Sequence, residues 1–350
     1  GATQQQVASI GVACHIFSAA PAGPRGQGGL APAQLRDAEN GFWACQDHAK
    51  LVDTNEGKRY PAGVLLGWRA LHESRIHREM GGVRLPVYWI EGIEIHKAPG
   101  FRSRQRLTLS RVTLLLGNNG SGKSALCDWL GSSAEDDAMS RWLGADLSFE
   151  LKVHNPEEHV FAVESLREGF SFRLDGVNVP FNPLRIVVQT LSHPPPLRNG
   201  RSDVDWMAGW LGVTSEMIRR LATSLAHQSN PFAESASVGD SGEIEAKLRI
   251  EPKSHVASRL SGGGQVMLAL ALATARARNA SLHAPTLLVV DGSLHAFDAR
   301  NRTLVLEELG RIEHFQSLVT FPDDPTLVWT GWSVVHVKDD PGGGALIDGI

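Results

Sequence analysis

Eight consecutive residues, Gly117-Asn118-Asn119-Gly120-Ser121-Gly122-Lys123-Ser124, fill every fixed position of the pattern G-x-x-x-x-G-K-[ST]. That spacing suits the capture of a nucleotide's phosphates. Glycines let backbone N–H groups converge on an anion with no Cβ in the way. A helix opening at the lysine adds its partial positive charge. Lys123 is placed to reach the β- and γ-phosphates, and the Ser124 hydroxyl to ligate Mg²⁺. Two elements must hold this loop. Upstream, Val112-Thr113-Leu114-Leu115-Leu116 is a short apolar run suited to a buried strand. Downstream, Ser124 to Leu130 has helical apolar spacing.

Further motifs follow in a fixed order. Arg259-Leu260-Ser261-Gly262-Gly263-Gly264-Gln265 precedes the apolar run Val266 to Ala273. Taken alone, this is a Ser/Gly turn that caps a helix. Pro285 to Asp291 is a buried-strand pattern ending in an acid, and Arg185-Ile186-Val187-Val188-Gln189 is a strand ending in glutamine. Phe297-Asp298-Ala299-Arg300-Asn301 and Gln316-Ser317-Leu318-Val319-Thr320 complete the set. Together, over roughly residues 84–340, these runs resemble the motifs of ABC ATPases. The resemblance implies ATP on Gly117–Ser124 and Mg²⁺ held by Ser124, Gln189 and Asp291. It places Asp298 in the D-loop. Ser261, Gly262 and Gly263, with Gln265 in the same motif, would cap the γ-phosphate of ATP held by a partner, which implies a homodimer closed by ATP.

Two departures bear on turnover. Gly292 stands where the family carries a glutamate that polarises the attacking water, and Phe321, before Pro322, stands where it carries a switch histidine. General-base assistance is worth about 10²–10⁴-fold. The expectation is an ATP-dependent clamp or sensor that binds well and hydrolyses slowly. Asp298, Asp323 and His295 are nearby groups that could substitute.

The interval from 125 to 259 carries no sustained heptads, so no coiled-coil arm is expected. Its best helical stretch is Val204 to His227. Tyr88 to Ile95, then Lys97 to Arg111, then the leucine run, resembles the opening β-hairpin of RecF/SMC-like heads. Lys97 to Arg111 holds five basic residues and no acid. It reads either as a phosphate-tracking hairpin or as a solvated strand face.

The amino-terminal segment is a different unit. Cys14-His15-Ile16, Glu39-Asn40-Gly41-Phe42-Trp43-Ala44-Cys45-Gln46-Asp47-His48, and Leu65-Leu66-Gly67-Trp68 opening a helix to about Arg78 resemble an HNH (ββα-metal) nuclease-type module. The resemblance implies His15 as general base, Asn40 as the residue that orients the loop, and Cys45 with His48 as half of a zinc knuckle. Ala49 replaces the metal-binding histidine of active members. A structural zinc needs about four ligands, and Cys14 is the only further cysteine nearby. A non-catalytic scaffold is the competing reading. The chain begins with Gly1, and a missing start with further ligands is expected.

The expected fold class is α/β: a P-loop ABC head with a mixed sheet (83–350), preceded by a small α+β HNH-like zinc-knuckle module (1–82). The boundary is placed at Gly81-Gly82. Among 350 residues, 42% are apolar and nine are tryptophan, enough for a sizeable core. The net charge of −4 confines nucleic-acid contact to local patches. Three cysteines argue against a disulfide framework, and no run approaches the ~20 apolar residues of a membrane span. Flexible segments are expected at Pro21–Leu30, Pro194–Pro196, Asn230–Gly242 and Pro341–Gly344. A cytoplasmic protein acting on DNA is expected, with a separate effector subunit and a role in DNA maintenance or phage defence. A non-catalytic regulator and a transporter subunit are the alternatives.

Overall fold

A computed structural model describes residues 11–28, 30–60, 62, 65, 88–131, 136–155, 157–180, 184, 186–192, 195–227, 229–251, 253–312, 314–322, 333–340 and 343–349. The Gly81-Gly82 boundary, the helix expected beyond Leu65, Arg185 and Asp323 lie outside these residues. The chain forms two compact units. One comprises Gly1–Leu85 with Ser171–Pro183, and the other Pro86–Phe170 with Leu184–Ile350.

The first unit is built on an antiparallel pair, β1 (Gly11–His15) and β2 (Gly41–Cys45), followed at once by the helix Gln46–Asp53. Ile16, Val52, Tyr60 and Leu65 form its small core. So few apolar side chains leave much of the order to polar staples. Arg25 donates from Nε to the Ile16 carbonyl and from Nη1 to that of Val52, both at 2.7 Å, and pairs with Asp53 at 2.6 Å.

The second unit opens with the expected hairpin: β3 (Trp89–Lys97) runs antiparallel to β4 (Gln105–Thr108). β5 (Val112–Leu116) is buried at every residue, as its unbroken apolar run requires. The phosphate-loop helix follows (Lys123–Gly131). Its Trp129 is wholly buried against Phe101, Trp142 and Phe149. β6 (Ser148–His154) and β7 (Glu158–Leu166) extend the hairpin sheet on the β3 side, in the order β4-β3-β6-β7. β8 (Gly169–Leu174) and β9 (Val177–Val179), which from Ser171 on belong to the first unit, form a hairpin with a two-residue turn. Its Asp175-Gly176 turn has φ of 49° and 80°, the left-handed pair a tight hairpin needs.

The central sheet collects β5 with β10 (Val187–Ser192), β14 (Thr286–Asp291), β15 (Gln316–Phe321), β16 (Ser333–Asp339) and β17 (Ala345–Gly349), in the order β10-β14-β15-β5-β16-β17. All its neighbours run parallel except the β16–β17 pair. The signature helix Gly262–Ser281 is buried on most of its circumference and packs with helices Asp203–Leu211 and Ser215–Leu225 in the main core. Helix Ala299–Arg311 packs into the same core through Val305, Leu306 and Leu309.

Two expectations need correction. The stretch Val204–His227 is two helices. Gly212 sits at φ 61° as a left-handed cap, and Thr214 Oγ1 accepts from the Met217 N–H to start the second. Asn230–Gly242 is largely ordered as β11 (Ala233–Val238), paired with β12 (Ile244–Leu248), which in turn pairs with β13 (His255–Val256). Phe232, Ala233 and Ala236 are buried, so small residues in a polar-looking run carry this strand's inner face.

Candidate functional site

The phosphate loop spans the C-terminal end of β5 and the start of its helix. Gly120 and Gly122 hold φ of 85° and 99°, which side-chain-bearing residues rarely adopt. A Cβ on Gly117 would stand 2.4 Å from the Val337 carbonyl oxygen, so β16 also demands glycine here. Lys123 Nζ reaches back to the carbonyls of Gly117 at 2.6 Å and Asn118 at 2.8 Å. Ser121 is buried, and its Oγ has no hydrogen-bond partner among the described residues.

The parallel register carries Asp291 to the same end of the sheet. Asp291 Oδ1 accepts from Thr320 Oγ1 at 2.6 Å, and that hydroxyl in turn accepts from the Gly292 N–H at 3.0 Å. A cavity of about 440 Å³ is lined by Lys123, Ser124, Asp291, Gly292, His295 and Thr320, with Phe321 at its wall. His295 stacks on Phe321 with ring centroids 5.3 Å apart, and the Arg302 guanidinium lies 4.7 Å from the centroid of the Phe321 ring. A second cavity, also about 440 Å³, abuts the loop between Phe101, Gly122, Trp142, Asp340 and Ala345. Positive-φ glycines, an orphaned buried hydroxyl and a lysine beside a carboxylate fit a Mg²⁺-bound nucleotide. Asn118 and Asn119 are exposed in the loop. Cys127, buried behind it, has its thiol pushed well above the usual range by burial, with Asp291 adding to the effect.

Gln189 is not brought to this cavity. β10 does not end there but runs on to Ser192, and Gln189 is level with Leu288 while Ser192 is level with Asp291. Three rungs separate the amide from the acid, about 10 Å. The Gln189 side chain is fully buried; it donates to the Leu211 carbonyl at 3.2 Å and accepts from Arg276. Thr320, the residue before the switch position, holds Asp291 through its hydroxyl, a contact the strand pattern alone does not reveal. That hydroxyl is its only signal in the sequence.

Ser261 caps the signature helix: its Oγ accepts from the Gly264 N–H at 3.1 Å. Gly262 is exposed and open to solvent, and Gln265 turns inward to the carbonyls of Leu260 and Ala257. Asp298 likewise caps the next helix, accepting from the Asn301 N–H at 2.8 Å.

The basic segment is largely engaged. Lys97 lies 3.6 Å from Asp146, Arg102 pairs with Asp340, Arg106 with Glu91, and Arg111 donates to the carbonyls of Gly310 and Ile312. Arg104 alone of the five has no partner among the described residues. A phosphate-tracking strip of five free cations is therefore not present.

In the first unit, Asn40 is buried and ties the loop together: it donates to the carbonyls of Phe17 and Leu35 and accepts from the Phe17 N–H. A cavity of about 680 Å³ is lined by His15, Arg25, Ala49, Lys50 and Asp53. Cys45 Sγ lies 3.0 Å from His48 Nδ1. Among the described residues no third ligand atom joins that pair. Cys14 cannot, because it is level with Phe42, three rungs from Cys45 and on the opposite face of the hairpin. The expected four-ligand zinc site is not formed by the described residues. The one group that could hold a metal among them is Glu91, His154 and Glu158.

No family model matches the chain, and no curated protein matches it in sequence. Solved structures do. The SMC head bound to the C-winged helix domain of ScpA superposes with a TM-score of 0.50 at 19% identity, covering 75% of this chain and 97% of that one. Over that share, the chain has the fold of an SMC head. The recombination mediator RecF of the RecFOR pathway (TM-score 0.49, 13% identity, 75% and 98% covered) and the SMC head domain from Thermotoga maritima (0.47, 20%, 75% and 99%) also align. No described helix is long and apolar enough to cross a membrane.

Proposed function

We propose that the SMC-like unit binds ATP·Mg²⁺ on Gly117–Ser124, with Ser124 and Asp291 holding the metal and the nucleoside side facing the cavity beside Phe101 and Asp340. The observation that carries this reading is the convergence of Lys123, Ser124 and Asp291 on one cavity at the sheet's C-terminal edge. Bound Mg²⁺ would neutralise phosphate charge. The chain's own residues orient it: Thr320 fixes one Asp291 oxygen, and Phe321 with His295 walls off water. A second copy lends Ser261, Gly262 and Gly263 to close the site, and Asp298 lines the seam. ATP closes this clamp only through tighter binding to the closed state. DNA is the macromolecular target, in keeping with a role in DNA maintenance or phage defence. The amino-terminal unit acts as an HNH-like scaffold and not as a nuclease, because Ala49 offers no ligand and Asp53 is committed to Arg25. Titration calorimetry with ATP·Mg²⁺ tests the nucleotide site. Lys123→Ala should weaken binding at least tenfold, as expected for a charge-assisted contact of about 1.5–3 kcal/mol; unchanged affinity overturns the reading.

A second reading concerns turnover. His295 lines the phosphate cavity, so a histidine reaches it from the loop after Asp291 and not from the end of β15. With Gly292 and Phe321 alone, steady-state hydrolysis is slow and His295→Ala leaves it unchanged. If hydrolysis is brisk and His295→Ala lowers it tenfold or more, His295 is the working substitute.

A further inference from the structure

At the opposite end of β15 from the nucleotide cavity lies a second built pocket, of about 490 Å³. We propose that it binds a small phosphate-bearing anion. Its walls are Thr274 and Arg278 from the signature helix, Arg249 just after β12, Glu308 and Arg311 from helix Ala299–Arg311, and His314 leading into β15.

Among the described residues that line it, three carry guanidinium groups and one, Glu308, a carboxylate. Arg311 is paired with Glu308, and at 3.8 Å with Glu307. Arg249 and Arg278 have no carboxylate within ion-pair distance among the described residues. Arg249 spends one donor on the Asn230 carbonyl at 2.6 Å. Arg278 donates to the Ser229 carbonyl at 3.0 Å and lies 3.3 Å from His314 Nε2. Each guanidinium has five donors, so both keep spare ones. Glu234, the acid that feels Arg249, is already paired with Lys247 at 2.5 Å.

The second observation is Thr274. It is 4% exposed, lines the pocket, and its Oγ1 has no hydrogen-bond partner among the described residues. A threonine within a helix usually bonds back to a carbonyl one turn earlier. Leaving a buried hydroxyl unmade costs about 1–3 kcal/mol, which an anion accepting from it would recover. Planar guanidinium forks with a hydroxyl donor match the acceptor oxygens of a phosphate. The pocket is separate from the phosphate loop. Phe315 lines the pocket just ahead of β15, whereas Phe321, the last residue of that strand, lines the nucleotide cavity; six residues of extended chain span about 20 Å. This inference does not rest on the ATP reading.

The test is titration of the full chain with inorganic pyrophosphate, in wild type, Arg278→Ala, Thr274→Val and Lys123→Ala. The expected result is binding that weakens at least tenfold in Arg278→Ala and several-fold in the near-isosteric Thr274→Val, and persists in Lys123→Ala. Equal affinity in wild type, Arg278→Ala and Thr274→Val overturns the proposal, as does loss in Lys123→Ala alone. Matching near-ultraviolet circular dichroism across the set separates lost binding from lost folding. In the Lys123→Ala protein, displacement of pyrophosphate by ADP marks a nucleotide as the ligand, and lack of displacement marks an inorganic anion.

Discussion

Cys45 and Cys127 carry the same group in opposite surroundings. Cys45 is exposed at the first turn of a helix, where the His48 backbone N–H and then its imidazole hold the thiol below its usual pKa. A lowered pKa means more thiolate at a given pH, and thiolate is the reactive form. Burial pushes Cys14 and Cys127 the other way. Iodoacetamide near neutral pH should therefore alkylate Cys45 first. His48→Ala should slow that reaction several-fold and move its pH dependence upward, as peptide mass spectrometry would show. Residue identity was legible wherever backbone geometry demands it. The glycines of 117–122 could be assigned from spacing alone because close approach and positive φ admit little else. Gln189 was misplaced because a strand's end is set by its neighbour's register, and only pairing with β14 reveals that Ser192, not Gln189, is level with Asp291.

Gly292 shows what an element imposes on chemistry. It takes φ 68° and bridges to Ser192 before the short turn Ser293–Ala296 that carries His295. A glutamate there would have to adopt a left-handed backbone, at about 1–2 kcal/mol. Gly292→Glu should lower unfolding stability by about that amount in urea, and it should not produce fast hydrolysis unless the loop rebuilds. The two missed boundaries, at Gly212 and at β11, have different causes. Helical periodicity continues across Gly212 while a capping threonine restarts the helix, and β11 buries alanines that carry little hydropathy signal. By contrast the uninterrupted apolar runs at 112–116 and 286–290 could be read directly as central strands.

For the whole molecule, the proposed assembly needs a second copy. Size-exclusion chromatography should show ATP-dependent dimers in wild type and monomers for Ser261→Arg, whose side chain would fill the capping surface. ATP-independent dimers, or dimers that survive the substitution, would remove the trans arrangement. The sequence order of motifs gives the succession of the central strands β5, β10, β14 and β15 along the chain. It does not give the pairing of β3 with β6, whose matched residues, such as Trp89 and His154, lie 65 apart in the chain.

The signature helix is encased along nearly its full length, from Gly264 to Ala277. A rod gripped that tightly cannot bend or slip locally. Any shift of Ser261 must carry Thr274 and Arg278 with it, as the two ends of a lever move together.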